Sequence, residues 1–321
     1  MQPTPPDAAH LSRGYAIALI SAGILSTTAI FIRYLTQTYQ IPALVLAFWR
    51  EIFVALTLLL VMLLIRRSLI RVDPRHLPYL LAYGFVLAIF NSLWTLSVAL
   101  NGAAVATVLV YCSAAFTALL GWWLLKERLD GAKILAVIIS LGGCLLVSGA
   151  WDSSAWQGNL VGILTGILAG LGYAAYSLMG RSAAQRGLST WTTVLYIFGF
   201  GSIFLLLFNL LPGGLLPGAA QSPGELLWLG KETVGWIILI VLAAGPTLTG
   251  YGTYNLSLSY LPSSIVNLIA TTEPPFTAAI AFFFLHERMT LIQIAGGVLI
   301  LSAVVLLRIH DSRLAKRTRP A

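Results

Sequence analysis

The sequence contains few charged residues. Of its 321 residues only 9% are charged, whereas a soluble globular domain carries roughly 25%. It has two cysteines, Cys112 and Cys144, and both lie inside apolar stretches, so they provide no disulfide framework. It also lacks a G-x-x-x-x-G-K-[ST] loop and a soluble segment that could hold a nucleotide. The sequence therefore gives no sign of ATP-driven transport and no reason to expect a cofactor or a metal ion.

Long apolar stretches fill most of the chain. Hydrophobic residues make up 58% of the sequence, and apolar runs of about 18 or more residues can each cross a bilayer as a helix. We therefore predict an all-α integral membrane protein with ten transmembrane helices. The predicted spans are residues 14–34, 43–65, 77–99, 103–125, 132–149, 159–181, 190–211, 234–257, 263–285 and 291–308. The longest gap, 212–233, is rich in proline and glycine and is predicted to be a loop.

The sequence repeats itself at a distance of 160 residues. Asn101–Val147 aligns without a gap on Leu261–Leu307. Each half contains five predicted spans, and because five is odd the second half must enter the membrane from the opposite side. Inverted repeats of this kind are typical of secondary transporters with a substrate site near the bilayer midplane. We expect two inverted five-helix repeats, residues 1–150 and 151–321, around a central cavity.

Basic residues predict the orientation in the membrane. The net charge is +8, which we attribute to lysine and arginine in cytoplasmic loops and not to nucleic-acid binding. With the N-terminus inside, 15 of the 19 Lys and Arg residues fall in cytoplasmic segments and three in external ones, while Arg50 lies within a span. The prediction is a multi-pass protein of the cell membrane (plasma or inner membrane) with both termini in the cytoplasm.

Polar side chains gather in the middle of several predicted spans. A polar group facing lipid is costly, so these residues should face the interior of the bundle or a water-filled cavity. They belong mainly to the third, fourth, sixth, eighth and ninth spans. The candidate substrate-binding residues are Arg50, Asn91, Trp94, Thr95, Tyr111, Ser113, Tyr173, Tyr176, Thr247, Tyr251, Tyr254, Asn255, Thr272 and Glu273.

Two of these candidates carry charge. Glu273 precedes Pro274 and Pro275 in the middle of the ninth span, where the two prolines should break or kink the helix. Glu273 either pairs with a substrate cation or carries a coupling proton, or it makes a structural hydrogen bond, for example to Arg50. Arg50 in turn either holds a substrate carboxylate or pairs with an acid or a carbonyl as a scaffold. The residues alone leave both alternatives open.

These features resemble the EamA-type carriers of the drug/metabolite transporter superfamily. The residues that carry the resemblance are Leu125-Lys126-Glu127-Arg128, Leu285-His286-Glu287-Arg288, Glu273-Pro274, Gly296-Gly297 and Arg50. The resemblance implies export of small metabolites, often amino acids or related compounds, driven by gradients and not by ATP. The family usually has a proline in the fourth span where this chain has Ser113-Ala114, so we expect that span to be stiffer here.

The predicted function is a secondary transporter that exports small metabolites, amino acids or related aromatic or amphipathic compounds, by alternating access. The alternatives are a carrier of drugs, organic cations or nucleosides and, less well supported, a non-transporting membrane partner protein. An enzyme is disfavoured, because His286-Glu287 begins like a zinc motif but lacks the second histidine. The expected partners are a small-molecule substrate and the lipid bilayer, with no nucleic acid. The glycine pairs Gly142-Gly143 and Gly296-Gly297 serve either helix packing within the chain or a homodimer.

Overall fold

The computed structural model of the chain describes residues 8–147, 152, 160–211, 215–285 and 290–317. These residues form helices and turns, without a strand. The helices are α1 Ala8–Leu25, α2 Thr28–Thr38, α3 Ala43–Ile65, α4 Leu77–Tyr111, α5 Ser113–Leu125, α6 Gly131–Val147, α7 Leu160–Gln185, α8 Thr190–Asn209, α9 Thr233–Leu242, α10 Leu248–Tyr260, α11 Ser263–Ala270, α12 Glu273–Leu285 and α13 Leu291–Arg317. His286, Glu287 and Arg288 of the second Glu-Arg motif lie outside the described residues.

The described helices are those of a membrane protein. Seven helical segments of the described chain are long and apolar enough to cross a membrane, and two shorter apolar helices, Leu109–Leu125 and Gly131–Val147, accompany them. The predicted all-α membrane class is therefore confirmed, while ten spans and an inverted repeat stay predictions. The described part of the predicted loop contains turns and one short 3-10 helix, Pro223–Leu227. The last helix is longer than predicted, since α13 continues nine residues past residue 308.

Helix α4 is not straight. Both Ser97 and Leu109 lie against Gly166 of α7: a Cβ atom on Gly166 would be 2.8 Å from Ser97 Oγ and 2.7 Å from Leu109 Cβ. In a straight helix these two residues would be about 18 Å apart along the axis. The chain therefore reverses direction between Ser97 and Leu109, the region in which the sequence predicts the end of the third span and the start of the fourth.

Two helix interruptions were not predicted. Between α1 and α2, the hydroxyls of Ser26, Thr27 and Thr28 each donate to a carbonyl three residues back, at 2.7, 2.8 and 2.6 Å. Bonds of this kind compete with the helix ladder and bend helices. Between α9 and α10 lies a π-helical turn, residues 243–247, which contains Pro246. Proline has no N–H to donate, so a wider turn forms around it.

Two further interruptions concern predictions from the sequence. Helix α11 ends at Ala270 and α12 begins at Glu273, which confirms the break predicted beside the two prolines. The fourth predicted span is also interrupted, at Cys112, although it has no proline there. The Cys112 amide donates to the carbonyl of Leu109 at 3.3 Å, a tightened turn of the 3-10 type. The missing proline therefore does not make the fourth span a continuous helix, and its stiffness stays a prediction.

The helix ends lie at two levels. At the level where α1 begins, the rings of His10 and Tyr260 are 4.7 Å apart, and the Tyr15 hydroxyl donates to the Asp311 carboxylate near the end of α13 at 2.8 Å. At the opposite level, the Trp228 indole donates to the carbonyl of Tyr39 at 2.8 Å. We call the first level the terminus side and the second the distal side. The first and last helices thus meet on the terminus side.

One glycine pair packs α6 against α13. A Cβ atom on Gly143 would lie 2.8 Å from the Gly296 carbonyl oxygen and 2.6 Å from the side chain of Ile300, and a Cβ on Gly296 would lie 2.8 Å from the Gly143 oxygen. Small residues that let two backbones approach are the usual basis of helix packing in lipid. Gly143 and Gly296 therefore serve a contact within the chain, whereas nothing lies within 4 Å of a Cβ on Gly142.

Replacing Gly143 with leucine should destabilise the fold, and the same change at Gly142 should not. The new side chain at position 143 would push α6 away from α13, and such overpacking costs about 1–3 kcal/mol. Both changes remove one glycine from the same helix, so they share any gain in helix propensity. The measurement is the thermal unfolding temperature of each variant in detergent. Equal unfolding temperatures for the two variants would contradict the packing of α6 on α13.

Candidate functional site

A polar cavity lies in the middle of the bundle. It holds about 640 Å³ of space outside the protein atoms, including its open mouth. Its walls come from α1 to α4, α7, α10, α12 and the π-helical turn. The lining residues are Leu25, Ser26, Thr28, Ala29, Arg50, Phe90, Trp94, Val110, Tyr111, Tyr173, Thr247, Tyr251, Glu273, Pro274 and Thr277.

All four helix interruptions open onto this cavity. Ser26 belongs to the first interruption, Tyr111 adjoins the second, Thr247 ends the π-helical turn and Glu273 follows the break of the ninth span. Irregular backbone at membrane depth is tolerated where it is buried in protein or lines a cavity. The hydroxyl run that begins at Ser26 was the signal in the sequence that could have located this wall.

Half of the predicted substrate-binding residues line the cavity. These seven are Arg50, Trp94, Tyr111, Tyr173, Thr247, Tyr251 and Glu273. Five of the fifteen lining residues are aromatic. Four of them were predicted. The prediction missed the fifth, Phe90, whose ring stacks on Tyr173 at a centroid distance of 5.0 Å. The cavity thus offers aromatic faces beside one cation and one carboxyl group.

The charged groups of the cavity do not pair with each other. The Arg50 side chain is 2% exposed, and no acid of the described chain lies within 4.0 Å of it. Within the described parts of the chain, its Nε and Nη2 atoms have no hydrogen-bond partner, and neither has the hydroxyl of Thr247. The Glu273 carboxylate accepts a hydrogen bond from the Tyr111 hydroxyl. Arg50 and Thr247 therefore line the cavity with buried donor atoms that lack acceptors among the described residues, and leaving a buried guanidinium without acceptors is costly.

Four of the other candidates lie between the cavity and the terminus side. The Tyr83 hydroxyl donates to Asn255 Oδ1 at 3.1 Å, and the Asn255 amide donates to the Tyr176 hydroxyl. A second chain of bonds joins Tyr254 to Ser177 at 2.7 Å, Ser177 to Asn267 at 3.1 Å and Asn267 to Ser113 at 2.8 Å. We call these seven buried residues the polar plug. The predicted residues Ser113, Tyr176, Tyr254 and Asn255 do not line the cavity in this conformation, because they fill the space below it.

The last three candidates lie behind the cavity wall. Asn91 donates to Glu51 Oε1 at 2.6 Å and accepts from the Tyr251 hydroxyl at 3.4 Å, and Thr95 donates to the Asn91 carbonyl at 2.7 Å. The Thr272 hydroxyl donates to the carbonyl of Ile269 at 2.7 Å. Asn91, Thr95 and Thr272 are buried and absent from the cavity lining.

Glu51 is a buried acid to which the prediction assigned no role. Its side chain is fully buried, and its Oε2 atom has no hydrogen-bond partner among the described residues. Gly201 of α8 leaves room for the carboxyl, since a Cβ atom there would lie 2.2 Å from Oε2. Through Asn91, this acid orients Tyr251 in the cavity wall. Its charge inside an apolar span was the available signal.

Replacing Gly201 with alanine should therefore disturb this site. The methyl group would collide with the Glu51 carboxyl, and displacing a buried group from a packed position costs about 1–3 kcal/mol. The control is Gly199→Ala in the same helix, where nothing lies within 4 Å of the new methyl group. Thermal unfolding should show a loss of stability in Gly201→Ala and none in Gly199→Ala. A loss of the same size in both variants would mean that the carboxyl is not held as described.

An all-helical membrane bundle whose helices are interrupted around one central polar cavity has the architecture of a membrane transporter. The chain belongs to the EamA-like transporter family, whose profile matches residues 12–149 and again residues 160–309. The protein is accordingly a multi-pass membrane transporter and not an enzyme.

Individual relatives agree with this assignment, and one solved structure shares the fold. The chain is 26% identical to an uncharacterized transporter of Archaeoglobus fulgidus over 68% of this chain and 74% of the relative. It is 25% identical to a probable amino-acid metabolite efflux pump of Escherichia coli over 71% of this chain and 75% of that protein. A protein of known crystal structure superposes with a TM-score of 0.74 at 15% identity, covering 94% of this chain and 99% of the other. That likeness shows the fold alone.

Proposed function

We propose that this protein is a secondary transporter that exports small zwitterionic metabolites, amino acids or related aromatic or amphipathic compounds, from the cytoplasm. The observation that carries the proposal is that Arg50 and Thr247, whose buried donor atoms lack partners among the described residues, line the same cavity as Glu273. A guanidinium binds carboxylates through two parallel hydrogen bonds. A substrate carboxylate at Arg50 and Thr247 would satisfy donors that the protein leaves open.

The other end of the substrate would lie at Glu273. A carboxylate binds a substrate ammonium group, and the rings of Trp94 and Tyr251 in the same wall can add cation–π attraction. Phe90 and Tyr173, stacked on each other, provide an apolar surface for the substrate side chain. The E. coli relative described as a probable amino-acid metabolite efflux pump supports this substrate class. The second candidate, an organic cation, needs Glu273 and the aromatic rings but makes no use of Arg50.

Transport would proceed by alternating access. The cavity lies on the distal side of the polar plug, so this conformation is closed toward the terminus side. We propose that residues 1–150 and 151–321 act as two inverted halves that rock against each other. The hydrogen bond between Asn91 and Tyr251 supports a pseudo-two-fold axis between the halves near this bond. These two residues are 160 positions apart, the distance of the repeat, and therefore correspond to each other.

The terminus side is proposed to be the cytoplasmic side of the plasma membrane. Basic residues favour the cytoplasmic ends of membrane helices. Those near the helix ends on the terminus side include Arg66, Arg75, Lys133, Arg186 and Arg313, whereas Lys231 and Arg33 are on the distal half. With this orientation the cavity of the present conformation faces the exterior, as expected after an exporter has released its substrate.

Counterflow in proteoliposomes tests the proposed function. Vesicles loaded with one unlabelled compound class would receive labelled amino acids, nucleosides or organic cations in turn. Saturable exchange of amino acids, absent from vesicles without protein, is the expected result. Exchange of organic cations alone would favour the second candidate, and exchange of none of these classes would overturn the proposal.

A further inference from the structure

The Glu-Arg motif at the end of α5 connects the two halves of the sequence. Lys126 adopts a left-handed backbone conformation with φ 54°, and the Glu127 amide donates back to the carbonyl of Gly121 at 3.0 Å. This turn ends α5 and directs the Glu127 side chain toward the first residues of α11. Gly121 also makes room for it, because a Cβ atom there would lie 2.9 Å from Glu127 Oε2.

The Glu127 carboxylate accepts four hydrogen bonds from two residues of the other half. Oε1 accepts from the amide and the hydroxyl of Ser263, at 2.7 and 2.6 Å. Oε2 accepts from the amide and the hydroxyl of Ser264, at 3.2 and 2.5 Å. The Lys133 ammonium group donates to the Ser264 hydroxyl at 3.1 Å and adds a positive charge to the same cluster. An acid at the start of a helix also interacts favourably with the helix dipole.

This contact is at one end of a short helix, and the cavity wall begins three residues beyond its other end. Helix α11 has eight residues and is about 12 Å long. It begins at Ser263, which Glu127 holds on the terminus side, and after Ala270 the chain passes through two threonines to Glu273 in the cavity wall. The middle of α11 joins the polar plug through Asn267, which accepts from Ser113 of α5.

We propose that Glu127 is the latch that holds the terminus side closed, and that its four bonds to α11 must break before the cavity can open to that side. The proposal rests on the proposed transport by alternating access. Glu127 is half-buried, so water can replace its bonds when the two halves separate. Because α11 connects the latch to Glu273, movement of α11 away from α5 would release the latch, part the polar plug and shift the substrate-binding carboxyl together.

Cysteine accessibility tests the latch without any substrate. In a chain with Cys112 and Cys144 replaced by alanine, Ala29→Cys places a single thiol in the cavity wall. A membrane-impermeant maleimide is then applied to either face of oriented vesicles. Without further changes, labelling from the distal side should dominate. Glu127→Gln, which replaces acceptor oxygens of the latch by an amide group, should raise the labelling rate from the terminus side about tenfold, the effect of losing one charge-assisted hydrogen bond.

Two further variants make the test specific. Arg128→Gln changes the charge of the next residue, whose side chain is exposed beside Asp130 at 3.4 Å, and should leave the labelling pattern unchanged. The double variant Ser263→Ala/Ser264→Ala removes two donors and keeps the backbone amides, so it should shift labelling in the same direction by a smaller factor. It also provides the test if Glu127→Gln does not fold. Unchanged labelling from both sides in whichever of the two latch variants folds would overturn the latch.

The outcome is independent of the counterflow result. Labelling requires only a folded protein in a vesicle, so a failure to find any substrate leaves the accessibility measurement readable. Exchange of amino acids together with unchanged labelling would reject the latch while the transporter stands. A shift in labelling without any exchange would support the latch and reject the proposed substrate class.

Discussion

Replacing Arg50 with glutamine should lower the transport efficiency for a carboxylate-bearing substrate by about 100-fold. The Arg50 side chain is buried in the cavity wall with two nitrogen atoms that lack any partner among the residues that the structure describes. A substrate carboxylate would supply the missing acceptors. Losing one partner of a buried charge pair costs about 2–5 kcal/mol, and about 2.7 kcal/mol corresponds to a factor of 100. The measurement is kcat/KM for exchange of the amino acid found by counterflow.

Two controls separate substrate binding from damage to the fold. Arg50→Lys keeps the charge but loses the planar pair of donors, so it should retain more transport than Arg50→Gln. Removing the unpaired buried cation should leave the thermal unfolding temperature of Arg50→Gln equal to or above that of the parent protein. A large loss of thermal stability in Arg50→Gln would mean that Arg50 is a scaffold residue. Unimpaired transport in that variant would contradict the carboxylate site directly.

Replacing Glu273 with glutamine should uncouple transport from the pH gradient. If the Glu273 carboxylate binds the substrate ammonium and a proton in alternation, each substrate molecule that is exported is exchanged for one proton that enters the cytoplasm. An acidic exterior should then drive export by the parent protein, and an alkaline exterior should oppose it. Glutamine keeps the size of the side chain but binds neither a proton nor a cation, so gradient-driven export should fall to the level of vesicles without protein.

The control for this prediction is Tyr111→Phe, which removes the hydroxyl that donates to Glu273 and leaves the carboxyl in place. That variant should still respond to the gradient, with an altered KM. The measurement is export of labelled substrate from vesicles with imposed pH differences of either sign. If Glu273→Gln responds to both gradients as the parent does, Glu273 does not carry the coupling proton. If neither protein responds to the gradient, the protein is a facilitator.

Much of the architecture could be predicted from the sequence because membrane helices leave a simple pattern. Apolar runs predicted helices that match α3, α6 and α8 to within a few residues, and Pro274 and Pro275 predicted the break before α12. The breaks at Ser26 and in the π-helical turn were missed for a physical reason. Hydroxyl residues and a single proline can both lie in an unbroken helix. Whether they interrupt it depends on the space and the hydrogen-bond partners that the neighbouring helices provide.

The sequence indicates which helix faces carry the candidate site, but not which of their residues line the cavity. Tyr251 and Tyr254 are less than one turn apart on one polar face, yet Tyr251 lines the cavity and Tyr254 belongs to the plug below it. Helix periodicity gives the face of a residue and not the depth at which a cavity ends. Likewise, the unsatisfied state of Arg50 depends on three-dimensional neighbours. Glu51 was given no role because a charge inside a span does not show that its side chain faces Asn91.

The most direct test of the central claim is counterflow with three forms of one aromatic amino acid: the zwitterion, its carboxamide and its deaminated acid. The zwitterion can satisfy both Arg50 and Glu273, whereas each analogue leaves one of these charges unpaired in the cavity. We predict saturable exchange of the zwitterion and exchange of both analogues that is weaker by at least tenfold, the value of one such interaction. Equal exchange of all three forms, or preference for the carboxamide, would contradict a cavity that binds its substrate between Arg50 and Glu273.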